Sequence, residues 1–552
     1  MPGFILANFA GMSTALSPKI LKANVAVYAK NCEVGDGRLK PLRAAAVVTP
    51  NPLQTSPDTI YEYSPGEWFE FGHDADVARV PNAFDVSNTV VYTGDAYPRI
   101  TRSDTALSTG TQPNVGYRLG VPAPSVKPSV EVSGDAAEDA LDEYRSYLYT
   151  YVNAWGHEST ISPVSESVNV REGETCTLTF GYLPTGNYNL TTGSYKRIYR
   201  SNSGSSATAF QYVGDTNDGD GTGINIGGIT AATFIDNLPD AGLGEVIPTV
   251  DWVRPPDDVG ADFPSGPMLG VTTLPSGALV GFSGKSLVYS EPYIPYAFPL
   301  SYRYHLKDEI VGVSPNSQGL VIATTGKPHL AMGHDPASVS IIELDEFQAC
   351  VSKRSVVDMG ESTIYAGPDG LVLVSGNSVQ VVTKAIFTRA QWQALNPDEI
   401  HAYRYEDKYV GFTETQGFVF DPDSTEQAWV FTDVPAACGH YSPREDALYI
   451  AEGNQLKTWA AGSELTYEWK SKTFESPTPM NLSVVKVSCV GEVVVRVYAD
   501  DVLRARFTCN NDTLRRLPAG YAAHEWRVDL QGTAHVDYVK LATSIKELAT
   551  VG

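Results

Sequence analysis

The sequence predicts a mainly β protein: a β-propeller of about six blades, with an inserted fibronectin type III/immunoglobulin-like β-sandwich and a C-terminal β-sandwich. Three observations carry this. Runs of Val, Thr, Tyr and Phe are broken by Gly, Asn, Asp and Pro, and Tyr 30, Gly 48 and Pro 36 among 552 residues make a turn-rich strand composition. Strand–turn–strand units recur between 265 and 463, with comparable positions at Leu279, Leu320, Leu371, Tyr409 and Leu448. Their spacings are 41, 51, 38 and 39 residues; a period of ~40–50 residues with four short strands per unit is the pattern of propeller blades. Finally, at about 150 residues per domain the chain is too long for one hydrophobic core.

Taken in order, residues 1–50 read as an extended N-terminal arm, with Pro18, a short apolar stretch from Val25 to Ala29 and the turn-rich EVGDGRLKPLR. Residues 51–105 read as the first part of the propeller, an N-terminal blade, because IYEY, WFEF, TVVY and RITR are strand-length segments separated by Pro-Gly and Gly-Asp turns. Residues 106–134 lose periodicity and gather Ser, Thr, Gly and Pro, the composition of a linker. Residues 135–250 carry YRSYLYTYVNAWG, SESVNVREGETCTLTF, SYKRIYRSNSG, AFQYVGDT and TFIDNLP, strands with a turn every ~8–12 residues, as in a sandwich inserted into the propeller. Residues 251–463 form the second part of the propeller, with TRAQWQAL around Trp392 as the best short helix. Residues 464–552 form the C-terminal sandwich; Val493, Val495 and Val497 alternate there with Val494, Arg496 and Tyr498, which puts the apolar set on one face.

Charge and cysteine usage narrow the functional classes. A formal net charge of −24 repels phosphate, so tight nucleic-acid binding is not expected. No apolar run reaches the ~18 residues of a membrane span, and the opening residues lack a basic region followed by a long apolar one, so a cytoplasmic start is expected. Six cysteines, Cys32, Cys176, Cys350, Cys438, Cys489 and Cys509, contain no CxxC pair and read as buried free thiols, with Cys489 and Cys509 the two that adjacent strands can bring together.

No catalytic set, cofactor site or metal site is predicted. The nine histidines show no HExxH or paired spacing, and His157–Glu158, His334–Asp335 and His524–Glu525 are sequence neighbours that strands point to opposite faces and turns point to solvent. DTNDGDGTG, Asp215 to Gly223, places carboxylates at alternate positions, yet Asp220 stands where an EF-hand needs glycine and Ile226 where it needs glutamate, so a glycine-rich hairpin loop is the better reading. Neither GxSxG nor GxxxxGK[ST] occurs. A glycosidase carboxylate pair on a propeller face stays open, because its ~5–9 Å separation is a three-dimensional property.

The order of the segments resembles the tail-nozzle (tail tubular, or stabilisation-type) structural proteins of tailed bacteriophages. The N-terminal run carries it through Ser17, Pro18, Ala26, Ala29, Asn31, Gly37, Leu39, Pro41 and Leu42: a Ser-Pro, an Ala-x-x-Ala-x-Asn segment and a Gly-x-Leu-x-Pro-Leu turn. YTGDAYPRIT, YRLGVPAP, KRIYRSNSG, GLVIATTGKPHLAMG and GPDGLVLVSG follow in the same order. The resemblance implies a non-enzymatic virion component, made in the host cytoplasm and located in the tail. It implies a homo-oligomeric, commonly hexameric ring that extends the DNA exit channel, with portal and adaptor proteins above and fibres, spikes or distal tail proteins around it. Viral DNA would pass an acidic lumen without tight binding, and the arm would order on a neighbour.

A second expectation comes from other classes: a tail-associated polysaccharide depolymerase, or a carbohydrate-binding receptor-recognition protein, with exposed aromatics such as Trp429 or Trp459 contacting sugar.

Overall fold

A computed structural model describes residues 3–81, 85–107, 110–203, 208–217, 227–333, 335–424 and 429–548. The protein is mainly β, with 45% strand and 6% helix. It divides into two compact units: Met1–Asp74 with Val311–Met332 and Ser340–Gly552, and Ala75–Ile310 with Gly333–Val339.

The second unit holds two four-stranded antiparallel meanders and a sandwich. Asp76–Arg79, Val90–Thr93, Arg99–Thr101 and Tyr117–Arg118 form the first meander, and Leu269–Thr273, Leu279–Ser283, Ser286–Tyr289 and Arg303–His305 form the second. Ala78, Val91, Ile100, Met268, Val271, Leu279 and Val288 pack them into one core. In the sandwich, Ser129–Ser133, Thr175–Thr179 and Thr233–Asp236 make one sheet and Tyr147–Val152, Tyr195–Ser203 and Thr208–Asp215 the other. Its core takes Tyr147, Tyr149, Tyr151, Cys176, Leu178, Ile198 and Phe234. The three tyrosines share a face by the two-residue period of a strand, and each hydroxyl finds an acceptor: Asp236 Oδ2 at 2.7 Å and the carbonyls of Val126 and Tyr182, both at 3.2 Å.

The expected 106–134 linker is corrected here. It contains Tyr117–Arg118, which completes the first meander through Arg99↔Arg118 and Ile100↔Tyr117, and Ser129–Ser133, which pairs with Thr175–Thr179. Prolines flank these strands and hid them from a periodicity reading, although Val130 and Val132 alternate correctly within SVEVS. The 51–105 blade also divides: the hairpin Thr59–Ser64/Glu67–Phe71 belongs to the first unit, and the Asp76–Arg79 meander belongs to the second.

In the first unit, three meanders follow in sequence: Ile310–Asn316 to Ser340–Glu343, Val357–Asp358 to Ser378–Val381, and His401–Tyr405 to Trp429–Thr432. A fourth, Cys438–Ser442, Ala447–Glu452 and Gln455–Thr458, gains its outer strand from the N-terminal part of the chain, Ala46–Val47. The helix Arg389–Gln393 lies where expected; Thr388 and Gln391 form a capping box, and the buried Trp392 donates Nε1 to the Gly367 carbonyl at 2.8 Å.

The C-terminal sandwich packs Gly3–Ala7, His535–Ala542, Val484–Val490 and Thr513–Arg516 against Tyr467–Ser471, Ala523–Gly532, Glu492–Ala499 and Val502–Asn510. Val493, Val495 and Val497 are buried and their alternates are not, as the strand period requires.

Residues 1–50, expected to be an extended arm, are instead part of this unit. Gly3–Ala7 runs antiparallel to His535–Ala542 in five-residue register. Leu6, Phe9, Met12, Ala26, Ala29, Cys32 and Leu39 sit in the same core as Trp469, Val485 and Leu541. The segment is short of its own core because its apolar residues are spent on the far end of the chain.

Candidate functional site

The residues that carry the sequence resemblance build a seam within the first unit. Ala26–Lys30 pairs antiparallel with Tyr467–Ser471 on one side and parallel, through Lys30↔Phe431, with Trp429–Thr432 on the other. This one strand joins a meander and the C-terminal sandwich into a ten-stranded sheet. Ala26 and Ala29 are buried against both, and small side chains allow the close approach.

Asn31 ends the strand in the left-handed region, φ +55°, a conformation that asparagine tolerates better than most residues. Only 4% exposed, it donates Nδ2 to Asp433 Oδ2 at 2.9 Å and accepts the Asp433 N–H at Oδ1, also 2.9 Å. Its own N–H donates to the Phe431 carbonyl, and its carbonyl accepts from the Leu42 N–H, both at 2.8 Å. Burial works to raise the Asp433 carboxyl, but hydrogen bonds from Lys30 and Asn31 outweigh it and hold the group below the usual carboxylate range.

Gly37 turns the chain at φ +81°, where a Cβ would meet Asn8 Oδ1 at 3.2 Å, and accepts the Phe9 N–H at its carbonyl. Leu39 exchanges backbone bonds with Val536 at 2.9 and 3.0 Å, Pro41 lies opposite Cys32, and Leu42 is buried beside Val410, Phe412 and Trp459. Ser17 and Pro18 differ from the other seven: they sit in the exposed turn that follows Leu16, where the Ser17 carbonyl accepts the Ile20 N–H at 3.0 Å and the Pro18 carbonyl accepts the Thr473 N–H at 3.1 Å.

Gly37 and Leu42 also line a cavity of about 480 Å³ within this unit. Phe9, Tyr405 and Trp459 give it apolar wall, and Glu33, Glu406 and Asp421 face it together with Arg43 and Lys408. Burial, with the Glu406, Asp446 and Glu33 charges behind it, raises the Tyr405 phenol. Among the described residues no histidine lines the cavity, and burial pushes the thiol of Cys32 up, away from nucleophilic character. Its chemistry is that of a polar binding recess.

The sugar-contact reading of Trp429 and Trp459 is corrected. Trp429 is 0% exposed, stacked on Phe418 at 4.0 Å and edge-on to Phe387, and Trp459 is 3% exposed with its ring edge-on to Phe412. The turn-or-surface reading of His157–Glu158 is also corrected, since both are buried. Glu158 accepts from Thr150 at 2.6 Å, Tyr199 at 2.8 Å and Arg197 at 2.8 Å, whereas His157 stacks on Tyr296 at 4.3 Å. His524 is exposed, and His334 lies outside the described residues. Of the DTNDGDGTG stretch, residues 218–223 lie outside the described residues, and the Asp215 carboxylate takes Arg197 Nε at 3.0 Å. Among the described residues no group of three or more His, Cys, Asp or Glu is placed to hold a metal ion, and no helix is long and apolar enough to cross a membrane. Cys489 and Cys509 are both buried and free.

No family model matches the chain, and no curated protein matches it. Among solved structures it is similar to a gluconolactonase from Xanthomonas campestris, at 10% identity and TM-score 0.24, over 35% of this chain and 71% of that one. It is also similar to the AfRom2 CNH domain, at 9% identity and TM-score 0.23, over 60% of this chain and 93% of that one. Likeness at this level carries nothing about activity.

Proposed function

We propose that the chain is a structural component of a bacteriophage tail: a nozzle or tail-tube segment that assembles as a ring, extends the DNA exit channel and docks tail appendages. In this reading the six four-stranded meanders are blades of one propeller, the charge of −24 keeps DNA from adhering to the channel, and the chain performs no catalysis. The observation that carries it is the seam. Of the nine residues through which the sequence resembles nozzle proteins, Ala26 and Ala29 lie on the strand that joins meander and C-terminal sandwich into one ten-stranded sheet, Asn31 fixes the end of that strand, and Gly37, Leu39, Pro41 and Leu42 fold the following turn back onto the same unit. A continuous sheet with a dense core resists shear between its parts, which suits a conduit that transmits load. The remaining two, Ser17 and Pro18, stand beside exposed Leu16 and Ile20 and are available to a neighbouring subunit.

Co-purification with portal-proximal and distal tail components tests this. The chain is expected to sediment with them as a complex and to leave host-surface polysaccharide at full length. Failure to associate, together with shortening of the polysaccharide, would replace this reading with the depolymerase.

A further inference from the structure

The second unit contains a second cavity, of about 360 Å³, remote in sequence from the seam. Its floor follows from strand register. Arg303 and His305 are two residues apart on the edge strand Arg303–His305 and so share a face; they lie opposite Val288 and Ser286 of the neighbouring strand. The loop around Phe263, Pro264 and Ser265 forms a wall.

Arg303 is the unusual group. Its Nε and Nη2 are sealed from water and have no hydrogen-bond partner, and it makes no ion pair among the described residues. The lining carboxylate, Asp262, is taken by Arg254 Nη2 at 2.7 Å. Phe263 accepts the cation only through its ring face, with the guanidinium carbon 5.6 Å from the centroid. Burial accordingly lowers the Arg303 pKa with no neighbouring charge opposing it. Elsewhere in the unit, Arg145 is matched to Glu143, Arg197 to Glu158 and Asp215, and Arg200 to Asp236, whereas Arg102, the other arginine of the unit whose pKa burial lowers, rests on His157 Nε2 and the Trp155 ring and lines neither cavity. Two guanidinium nitrogens sealed from water without a partner carry a cost that an anion in the cavity would relieve.

Two further polar groups stand on the same face. Ser286 Oγ and His305 Nδ1 are 2.8 Å apart. With Ser286 donating to Nδ1, the ring carries its proton on Nε2 and presents it as a donor. Pro256, Pro264 and Val288 supply apolar contact for a small organic body.

We propose that this cavity binds a small acidic molecule through its oxyanion, a phosphate or a carboxylate, with Arg303 as the countercharge and His305 and Ser286 as orienting groups. Guanidinium geometry suits both oxyanions, and the two share one mode of recognition.

The test is calorimetric titration of the full chain at constant ionic strength with inorganic phosphate and, separately, with acetate. Saturable binding of either probe, weakened at least tenfold by Arg303→Gln and only partly by Arg303→Lys, is expected. Phosphate alone binding identifies a phosphoryl ligand and acetate alone a carboxylate; both outcomes support the site. Arg389→Gln, at an exposed arginine of the other unit, is the control and should bind as the parent does. Because Arg303→Gln can perturb folding, phenylglyoxal modification of the unaltered chain is read in parallel by peptide mass spectrometry. The probe that binds should slow modification at Arg303 and leave Arg389 unchanged. Absence of saturable binding by both probes, or equal binding by a folded Arg303→Gln variant, would overturn the proposal.

Discussion

Asn31 and Asp433 hold each other at both ends: the asparagine amide donates to the carboxylate, and the aspartate N–H donates to the amide oxygen, each at 2.9 Å across 402 residues of sequence. This reciprocal pair locks the parallel junction of the ten-stranded sheet. Replacing Asn31 with Ala removes both bonds and leaves a left-handed residue with an ordinary Cβ. A loss of about 2–4 kcal/mol is expected from the two effects together. Asn31→Gly relieves the backbone strain and is expected to recover about 1 kcal/mol of it. Chemical denaturation of the two variants checks this; equal stability of Asn31→Ala and the parent would contradict the seam.

Arg200 and Asp236 form the most buried ion pair of the sandwich in the second unit, 2.8 Å apart with both side chains 0% exposed. Tyr147 donates its hydroxyl to the same carboxylate oxygen. Asp236→Asn leaves Arg200 under-compensated and is expected to cost about 3–5 kcal/mol. Arg200→Met combined with Asp236→Leu is expected to cost less than Arg200→Met alone, because the double variant buries no unpaired charge. A thermal-unfolding cycle over the parent, Arg200→Met, Asp236→Leu and the double variant measures the difference.

Acid should weaken the fold through two histidines. Burial, with Arg102 beside His157 and Arg354 beside His401, lowers both pKa values to about 3. The unfolded chain titrates near ~6.5, so between these values it binds more protons than the folded chain, and stability falls as pH drops through that window. His157→Gln and His401→Gln are expected to reduce the loss of urea midpoint between pH 7 and pH 4.5. An unchanged slope in both variants would show that neither histidine is held neutral.

The thiols should be inert in the folded protein. All six cysteines are buried and free, and burial raises Cys350 and Cys438 to about 12 and Cys489 to about 11. A disulfide reagent such as DTNB is expected to label none of them within minutes at neutral pH and all six in guanidinium chloride. Rapid labelling of one native thiol would identify an exposed or activated cysteine and contradict this packing.

Local signals were the legible part of the sequence. The Val493, Val495, Val497 alternation, the short TRAQWQAL helix around Trp392 and the recurring hairpins between 265 and 463 each depend on neighbours in sequence, and each is found in the structure. What escaped depends on distant partners. Residues 1–50 look unstructured until His535–Ala542 supplies the strand that pairs with Gly3–Ala7. Tyr117–Arg118 is too short to announce itself and is fixed only by its register with Arg99 and Ile100. Trp429 gives no sign in sequence that Phe387, Phe418 and Phe431 will enclose it. Of the site, Asn31 and Gly37 were picked out by resemblance, but nothing local indicated that Asp433 completes the first or that Asn8 restricts the second. Arg303 left no signal at all, since an unpaired charge is recognised only once every nearby carboxylate has a partner.

The most direct test of the proposed role is the solution mass of the purified protein, alone and mixed with tail components, by light scattering with negative-stain imaging of whatever assembles. Closed rings with a central hole, at a mass that is an integral multiple of the single chain, are the expected result. A particle that stays monomeric or trimeric with those components present, while binding or cutting host polysaccharide, would contradict the nozzle assignment.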